Sequence, residues 1–393
     1  MIRAMFSRRT DWKLSPNRFT QAFEEVRAAG RKFIDLTLSN PTRAGITYDK
    51  KVVLDSLRNE KSLDYDPQTK GLLFARTAVS DYYRTRGESV DPESLVLTSG
   101  TSEGYSYVFR LLANPGDEIL VPKPSYPLFE FLADLQDVNL VPYPLIYDHG
   151  WQIDFHSLEN TIGDATRGIV LVNPNNPSGS YVGASERQQL NDLCRKHNLA
   201  LIVDEVFLDY ALDDIPHPTF ATNPDGLTFT LSGLSKISAL PQMKLAWIAV
   251  SGHTVEAHAA MERLEVTADT YLSVSTPVQW AAPTMLEQRN AVQTQILDRA
   301  RHNLSELDSQ LSQQKSCVRL SVEGGWYAVL RVPVTRSDED LAIALLRDRG
   351  VLVHPGHFYD FPQDGFLVLS LITSTDEFRR GVAEILQYIG TND

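Results

Sequence analysis

Gly168-Ile169-Val170-Leu171-Val172 carries no polar side chain, and it stops at once on Asn173-Pro174-Asn175-Asn176-Pro177-Ser178-Gly179. An apolar run of this length, closed by turn residues, reads as a strand buried on both faces. A helical stretch follows to about His197, with Ser185 as its expected N-cap and Gln188 three residues on. Ala200-Leu201-Ile202-Val203 is the next apolar strand, and it ends on Asp204-Glu205. The same alternation extends outward. Leu95–Thr98 precedes a helix starting near Ser102, Glu118–Val121 precedes a helix over Tyr126–Gln136, and Asn139–Pro144 is extended. Thr228–Leu231 and Leu245–Val250 complete the set. Strands alternating with helices predict an α/β fold, a mainly parallel sheet covered by helices. A long helical stretch from Pro277 to about Gln313 then leads into strands (Tyr327–Val332, Phe366–Leu371) mixed with helices (Asp338–Arg349, Asp376–Tyr388). That pattern predicts a smaller α+β domain. The expected division is a large domain over 46–285 and a small one built from 1–45 together with 286–393.

Bulk properties narrow the function classes. A chain of 393 residues suits one large and one smaller core. Its net charge of -13 lacks the basic footprint of a nucleic-acid binder. Cys194 and Cys317 are the only cysteines and sit in no metal-ligand spacing, so no metal site is expected. Arg3, Arg8 and Arg9 are followed by no apolar stretch of the signal-peptide kind. No run approaches the ~20 apolar residues of a membrane helix. The expectation is a cytoplasmic protein that does not engage membranes.

In an α/β sheet, ligands bind beyond the carboxyl ends of the strands. Ser99-Gly100-Thr101-Ser102 opens a helix there, and free N–H groups at a helix start can hold an anion. Pro122-Lys123-Pro124-Ser125-Tyr126-Pro127 offers Tyr126 to stack on a flat ring. The Asn-rich loop at 173–179 offers amide donors. Asp204 ends an apolar strand, where a carboxylate needs a partner such as a cationic heterocycle nitrogen. Ser232-Gly233-Leu234-Ser235-Lys236 puts a lysine at the sheet's mouth, where desolvation would fit it for imine chemistry. Each feature alone also fits a helix cap, a turn, a salt bridge or a surface lysine.

Their order is more specific. Gly-Thr-Ser, Pro-Ser-Tyr-Pro, Asn-Pro-Asn-Asn-Pro-Ser-Gly, Asp204 and then Ser-Lys 32 residues on resemble the class I/II aminotransferases, fold-type I enzymes dependent on pyridoxal phosphate. The resemblance covers nearly the whole chain and includes Asn114-Pro115-Gly116-Asp117-Glu118, and Gly350-Val351 leading to Pro355-Gly356. It implies an aspartate-aminotransferase-like fold and transfer of an amino group between an amino donor and a 2-oxo acid. By that resemblance Lys236 carries the cofactor as an imine and moves the proton. Asp204 pairs with the ring nitrogen, Asn176 bonds the phenolic oxygen, and Tyr126 stacks on the ring. Gly100, Thr101 and Ser102 hold the phosphate, Asn40 belongs to a loop closing over substrate, and Tyr65 reaches the phosphate of a neighbouring subunit in a homodimer.

Three positions depart from the family. Phe207 stands where a tyrosine is usual three residues after Asp204, which should raise the pKa of the imine. Lys244 stands where an arginine usually binds the phosphate; charge is kept and the two-pronged fork is lost. Val368 stands where the carboxylate-binding arginine is expected, and no arginine lies between Arg349 and Arg379 to replace it. Arg43 and Arg331 are the candidate substitutes, but each reads better as an ordinary surface charge, so neither is assigned the role. The same fold also supports elimination, decarboxylation and ring-closing synthesis, and a non-catalytic relative is a further reading.

Overall fold

Six strands of one eight-stranded sheet run in the same direction, five of them side by side, so the turns that carry the motifs above emerge at one edge. The computed structural model describes residues 5–127, 129–213, 215 and 217–392; Arg3 lies outside them. The sheet order is Leu95–Thr98, Ala246–Ser251, Thr228–Gly233, Ala200–Asp204, Thr166–Val172, Glu118–Lys123, Asn139–Tyr147 and Trp151–Ile153. Ala246–Ser251 is antiparallel to both neighbours, and Trp151–Ile153 is antiparallel to the strand beside it. The central strands are apolar because helices cover both faces. Val96, Val170, Ile202 and Phe229 enter one core, while Leu120, Ile169, Leu171 and Leu201 enter another.

The second sheet has four antiparallel strands, in the order Val318–Arg319, Tyr327–Arg331, Phe366–Ser370 and His354–Pro355. The N-terminal segment packs with it. Ile34–Asp35 pairs in parallel with Val351–Leu352, and Phe19, Val26 and Leu36 share a core with Leu330, Leu367 and Phe378.

Local chemistry moves several element boundaries from their expected places. The helix expected from Ser185 spans Ala184–His197, and Glu186 rather than Gln188 reaches back to the N-cap, taking the Gly183 N–H at 2.9 Å. Its other carboxylate oxygen takes the Ile153 N–H, also at 2.9 Å, so this charge serves two orphan donors. The long stretch from Pro277 is two helices, Thr276–Glu287 and Arg289–Leu311. The first packs on the Leu73–Thr85 helix and the second on the C-terminal helix Thr375–Asn392, so the halves serve different cores. The helix expected over Tyr126–Gln136 spans only Phe129–Asp134. The one expected over Asp338–Arg349 is α-helical to Ala344 and widens into a π-turn over Leu345–Arg349.

Candidate active site

The strand tips enclose a cavity of about 190 Å³. Thr101, Ser102, Tyr126, Asn176, Asp204 and Lys236, six of the residues singled out in the sequence, line it together. Ser39, Phe129, Phe207, Ser235 and Tyr327 join them.

The Asn-rich loop shows how one side chain is left for the cavity. The Asn175 amide donates to Pro124 O at 3.1 Å and Ser178 Oγ at 2.8 Å, which ties this loop to the turn carrying Tyr126. Asn173 Oδ1 accepts the Val182 N–H at 3.0 Å. Both are occupied in shaping the loop. Asn176 is also buried, yet its Oδ1 has no partner. A buried carbonyl oxygen without a partner costs about 1–3 kcal/mol unless a donor meets it. Gly179 closes the loop at φ +71°, and a Cβ there would lie 2.5 Å from Gly324 O. Only glycine fits both demands.

The adjacent carboxylates Asp204 and Glu205 divide in the same way. Glu205 is fully buried and is absorbed by the following turn, where the Thr219 hydroxyl donates to it and the Phe220 N–H lies at 2.7 Å. Asp204 faces the cavity. Its Oδ1 accepts the Val206 N–H at 3.0 Å and its Oδ2 the Tyr105 hydroxyl at 3.2 Å. Burial pushes the Asp204 carboxyl up to about 6, and the two hydrogen bonds and the charge of Lys236 pull the other way. A cation at this end of the cavity would strengthen that pull.

Lys236 sits in a single helical turn, Leu234–Ile237, directly after its strand. A Cβ on Gly233 would lie 2.7 Å from the Ala246 Cβ, so glycine lets the turn lie against the neighbouring strand. Three side chains then fix the turn's carbonyls. Tyr210 donates to Lys236 O at 2.6 Å, Gln293 to Ile237 O at 2.8 Å, and Tyr48 to Ala239 O at 2.7 Å. Burial brings the Lys236 amine down to about 8, against the attraction of Asp204. A group poised there can hold or release a proton near neutral pH.

Gly100 precedes the Thr101–Leu112 helix, whose first N–H groups have no side-chain cap. The Lys244 ammonium reaches the same place, 3.5 Å from where a Gly100 Cβ would sit. Helix start and cation together make an anion site. Tyr65 does not enter this cavity: it is 85% exposed, beside Thr69, Ser273 and Gln279. Asn40 accepts from the Thr42 N–H at 3.0 Å and hydroxyl at 2.8 Å, forming its own turn, and the preceding Ser39 is what lines the cavity.

Val368 is buried in the small sheet between Val329 and His354, in one apolar cluster with Phe207, Trp326 and Tyr327. Arg43 and Arg331, the candidate substitutes, are both exposed, and neither lines the cavity. On the neighbouring strand, His354 Nδ1 lies 3.1 Å from the Tyr359 hydroxyl, and burial holds that imidazole down to about 4. Ser39, Tyr105 and Tyr327 were not singled out in the sequence as site residues. A tyrosine inside a helix or strand carries no local sign of facing a ligand.

The donor set fits pyridoxal phosphate. A carboxylate stands ready for a ring nitrogen, the Asn176 amide NH2 for a phenolic oxygen, a helix start with a cation for a phosphate, and an amine for the aldehyde.

Comparison with known proteins agrees. The E. coli K12 glutamate-pyruvate aminotransferase AlaA is 28% identical over 371 residues, 92% of this chain and 91% of that one. An alanine aminotransferase of Mycobacterium bovis is 29% identical over 364 residues, covering 88% and 82%. Among solved structures, an E. coli aminotransferase superposes with a TM-score of 0.86 at 25% identity, covering 95% of each chain. A Thermus thermophilus aspartate aminotransferase variant gives 0.85 at 21%, a likeness of fold, covering 97% and 99%. The sequence profile described as "Aminotransferase class I and II" matches residues 32–385, and the chain therefore belongs to that family of pyridoxal-phosphate enzymes.

Proposed function

We propose that this aminotransferase moves an amino group between an amino acid and a 2-oxo acid in the cavity between the two sheets, with Lys236 as its catalytic residue. The observation that carries the reading is the convergence of Lys236, Asp204 and Asn176 on one cavity. Bound pyridoxal phosphate supplies an electron sink for charge developing at the amino acid's α-carbon. Asp204 holds the ring nitrogen in its protonated form through charge and a hydrogen bond. Asn176 donates to the phenolic oxygen, and Tyr126 covers one ring face. Gly100, Thr101, Ser102 and Lys244 hold the phosphate. Lys236 would hold the aldehyde carbon, and its amine, when free, would take the proton from the α-carbon and hold it for return. Ser39 and Tyr327, with the Asn40 turn behind them, face the substrate side.

A homodimer completes this reading. Tyr65, Leu63 and Phe74 are exposed, as an interface with a second copy would require, and Tyr65 would serve the partner's phosphate site. Residues 46–285 form the large domain, and 1–45 with 286–393 the small one. No helix among the described residues is long and apolar enough to cross a membrane, and we place the enzyme in the cytoplasm.

The test is optical. Protein loaded with pyridoxal phosphate should show a visible band that alanine, glutamate or tyrosine, substrates in the relatives' names, converts to a near-ultraviolet band. Adding the matching 2-oxo acid should restore it. A visible band that no amino donor converts would overturn transamination.

A further inference from the structure

The amine of Lys236 lies against two aromatic rings. Its Nζ lies 4.7 Å from the centre of the Trp326 ring and 5.3 Å from that of Phe207. The two rings meet edge to face, with centroids 4.8 Å apart and planes at 83°. Trp326 also touches Tyr210, at 5.2 Å, and Tyr210 is the residue that holds the Lys236 carbonyl. One aromatic cluster thus grips both ends of the lysine, its backbone and its amine.

Trp326 is itself fixed from several directions and fully buried. Gly325 N donates to Tyr210 O at 2.9 Å, and Gly324 N to Gly179 O, also at 2.9 Å. Leu371 N donates to Trp326 O at 2.8 Å. Trp326 directly precedes the Tyr327–Arg331 strand of the small sheet, whereas Lys236 follows a strand of the large one. The ring is therefore carried to the lysine by the other half of the molecule.

We propose that Trp326 is a positioning residue for Lys236: with Phe207 it forms a π-faced seat that receives the lysine's ammonium when the amine is free. An aromatic face attracts the cation and does little for the neutral amine. The seat therefore holds the proton-bearing form at a fixed place and releases the neutral form. Asp204, on the neighbouring strand, is the charged group facing the amine, while Glu205 turns away into its own hydrogen bonds. Burial lowers the lysine's proton affinity and the charge of Asp204 holds it up; the two ring faces would act in the same sense as Asp204.

The inference rests on Lys236 being the reactive lysine, but its test does not require cofactor. In cofactor-free protein, acetylation of Lys236 by acetic anhydride is followed against pH by peptide mass spectrometry, with the exposed Lys196 as internal reference. Trp326→Leu keeps the site apolar and removes the ring face, so the pH midpoint of Lys236 labelling should fall by about half a unit. Trp326→Phe keeps a weaker face and should fall in between. In loaded protein, Trp326→Leu should lower kcat more than it changes KM. An unchanged or raised midpoint in a folded Trp326→Leu protein overturns the proposal, as does a Phe variant that matches the Leu variant. Should Trp326→Leu not fold, Phe207→Leu removes the second ring and is read in the same way. A cofactor found on another lysine would defeat the functional reading and leave this titration standing.

Discussion

The two walls of the cavity were built under different constraints. The wall at the edge of the large sheet brings together the residues that the family resemblance implies for the cofactor: Lys236, Asp204, Asn176, Tyr126 and the Gly100–Ser102 helix start. Its departures, Phe207 and Lys244, keep shape or charge. The wall formed by the small sheet and the N-terminal turn does not follow. Val368 is buried among aliphatic and aromatic side chains where a carboxylate-binding arginine is usual, and neither candidate substitute lines the cavity. A cofactor's chemistry is fixed, so the groups that serve it have few alternatives. A substrate can be gripped in many ways, and the wall facing it is free to change.

That contrast can be broken by substitution. Changes on the cofactor wall should slow every amino donor alike, whereas changes on the substrate wall should re-rank donors. The largest effect belongs to Lys236→Ala, which removes the proposed proton carrier and should cost at least about 10³-fold in kcat for all donors. Asp204→Asn comes next, at about 10²–10³-fold in kcat.

Asp204→Asn also has a signature in stability. The folded carboxyl titrates near 6, above its usual 3.8, so the unfolded chain loses this proton first as pH rises. Between about pH 4 and 6 the group increasingly destabilises the cofactor-free fold. Denaturant melts of cofactor-free Asp204→Asn should therefore show a gain on the order of 1–3 kcal/mol at pH 7 and none below pH 4. No gain at pH 7 would mean that its neighbours already satisfy the carboxylate.

Lys244→Ala should weaken cofactor binding about tenfold or more, measured by equilibrium dialysis, and Lys244→Arg should restore or exceed native affinity. On the other wall, Tyr327→Phe should change KM several-fold for some donors and leave others alone. Uniform loss across donors would place Tyr327 with the cofactor instead. The smallest effect is expected for Phe207→Tyr, which adds a donor near the phenolic oxygen and should lower the pH at which the visible band titrates.

The sheet and its ligand-bearing tips were legible because continuous apolar strands punctuated by Asn, Pro and Gly have few other readings. Six of the cavity's residues were legible for the same reason: they stand directly at or after strand ends. Helix limits were harder: Glu186, not Gln188, takes the N-cap N–H of Gly183, and its other oxygen is held by Ile153, a partner distant in sequence. The support for Lys236 was hidden altogether. Tyr210, Gln293, Tyr48 and Trp326 come from four separate segments, and no local pattern marks a side chain whose partner is a distant carbonyl or amine.

The central claim is that Lys236, and not Lys244, carries the cofactor. Reducing the loaded protein with borohydride and mapping the labelled peptide decides between them. The structure predicts the pyridoxyl group on Lys236, with its loss in Lys236→Ala and its retention in Lys244→Ala. A label on Lys244, or no label in protein that shows the visible band, would contradict the account.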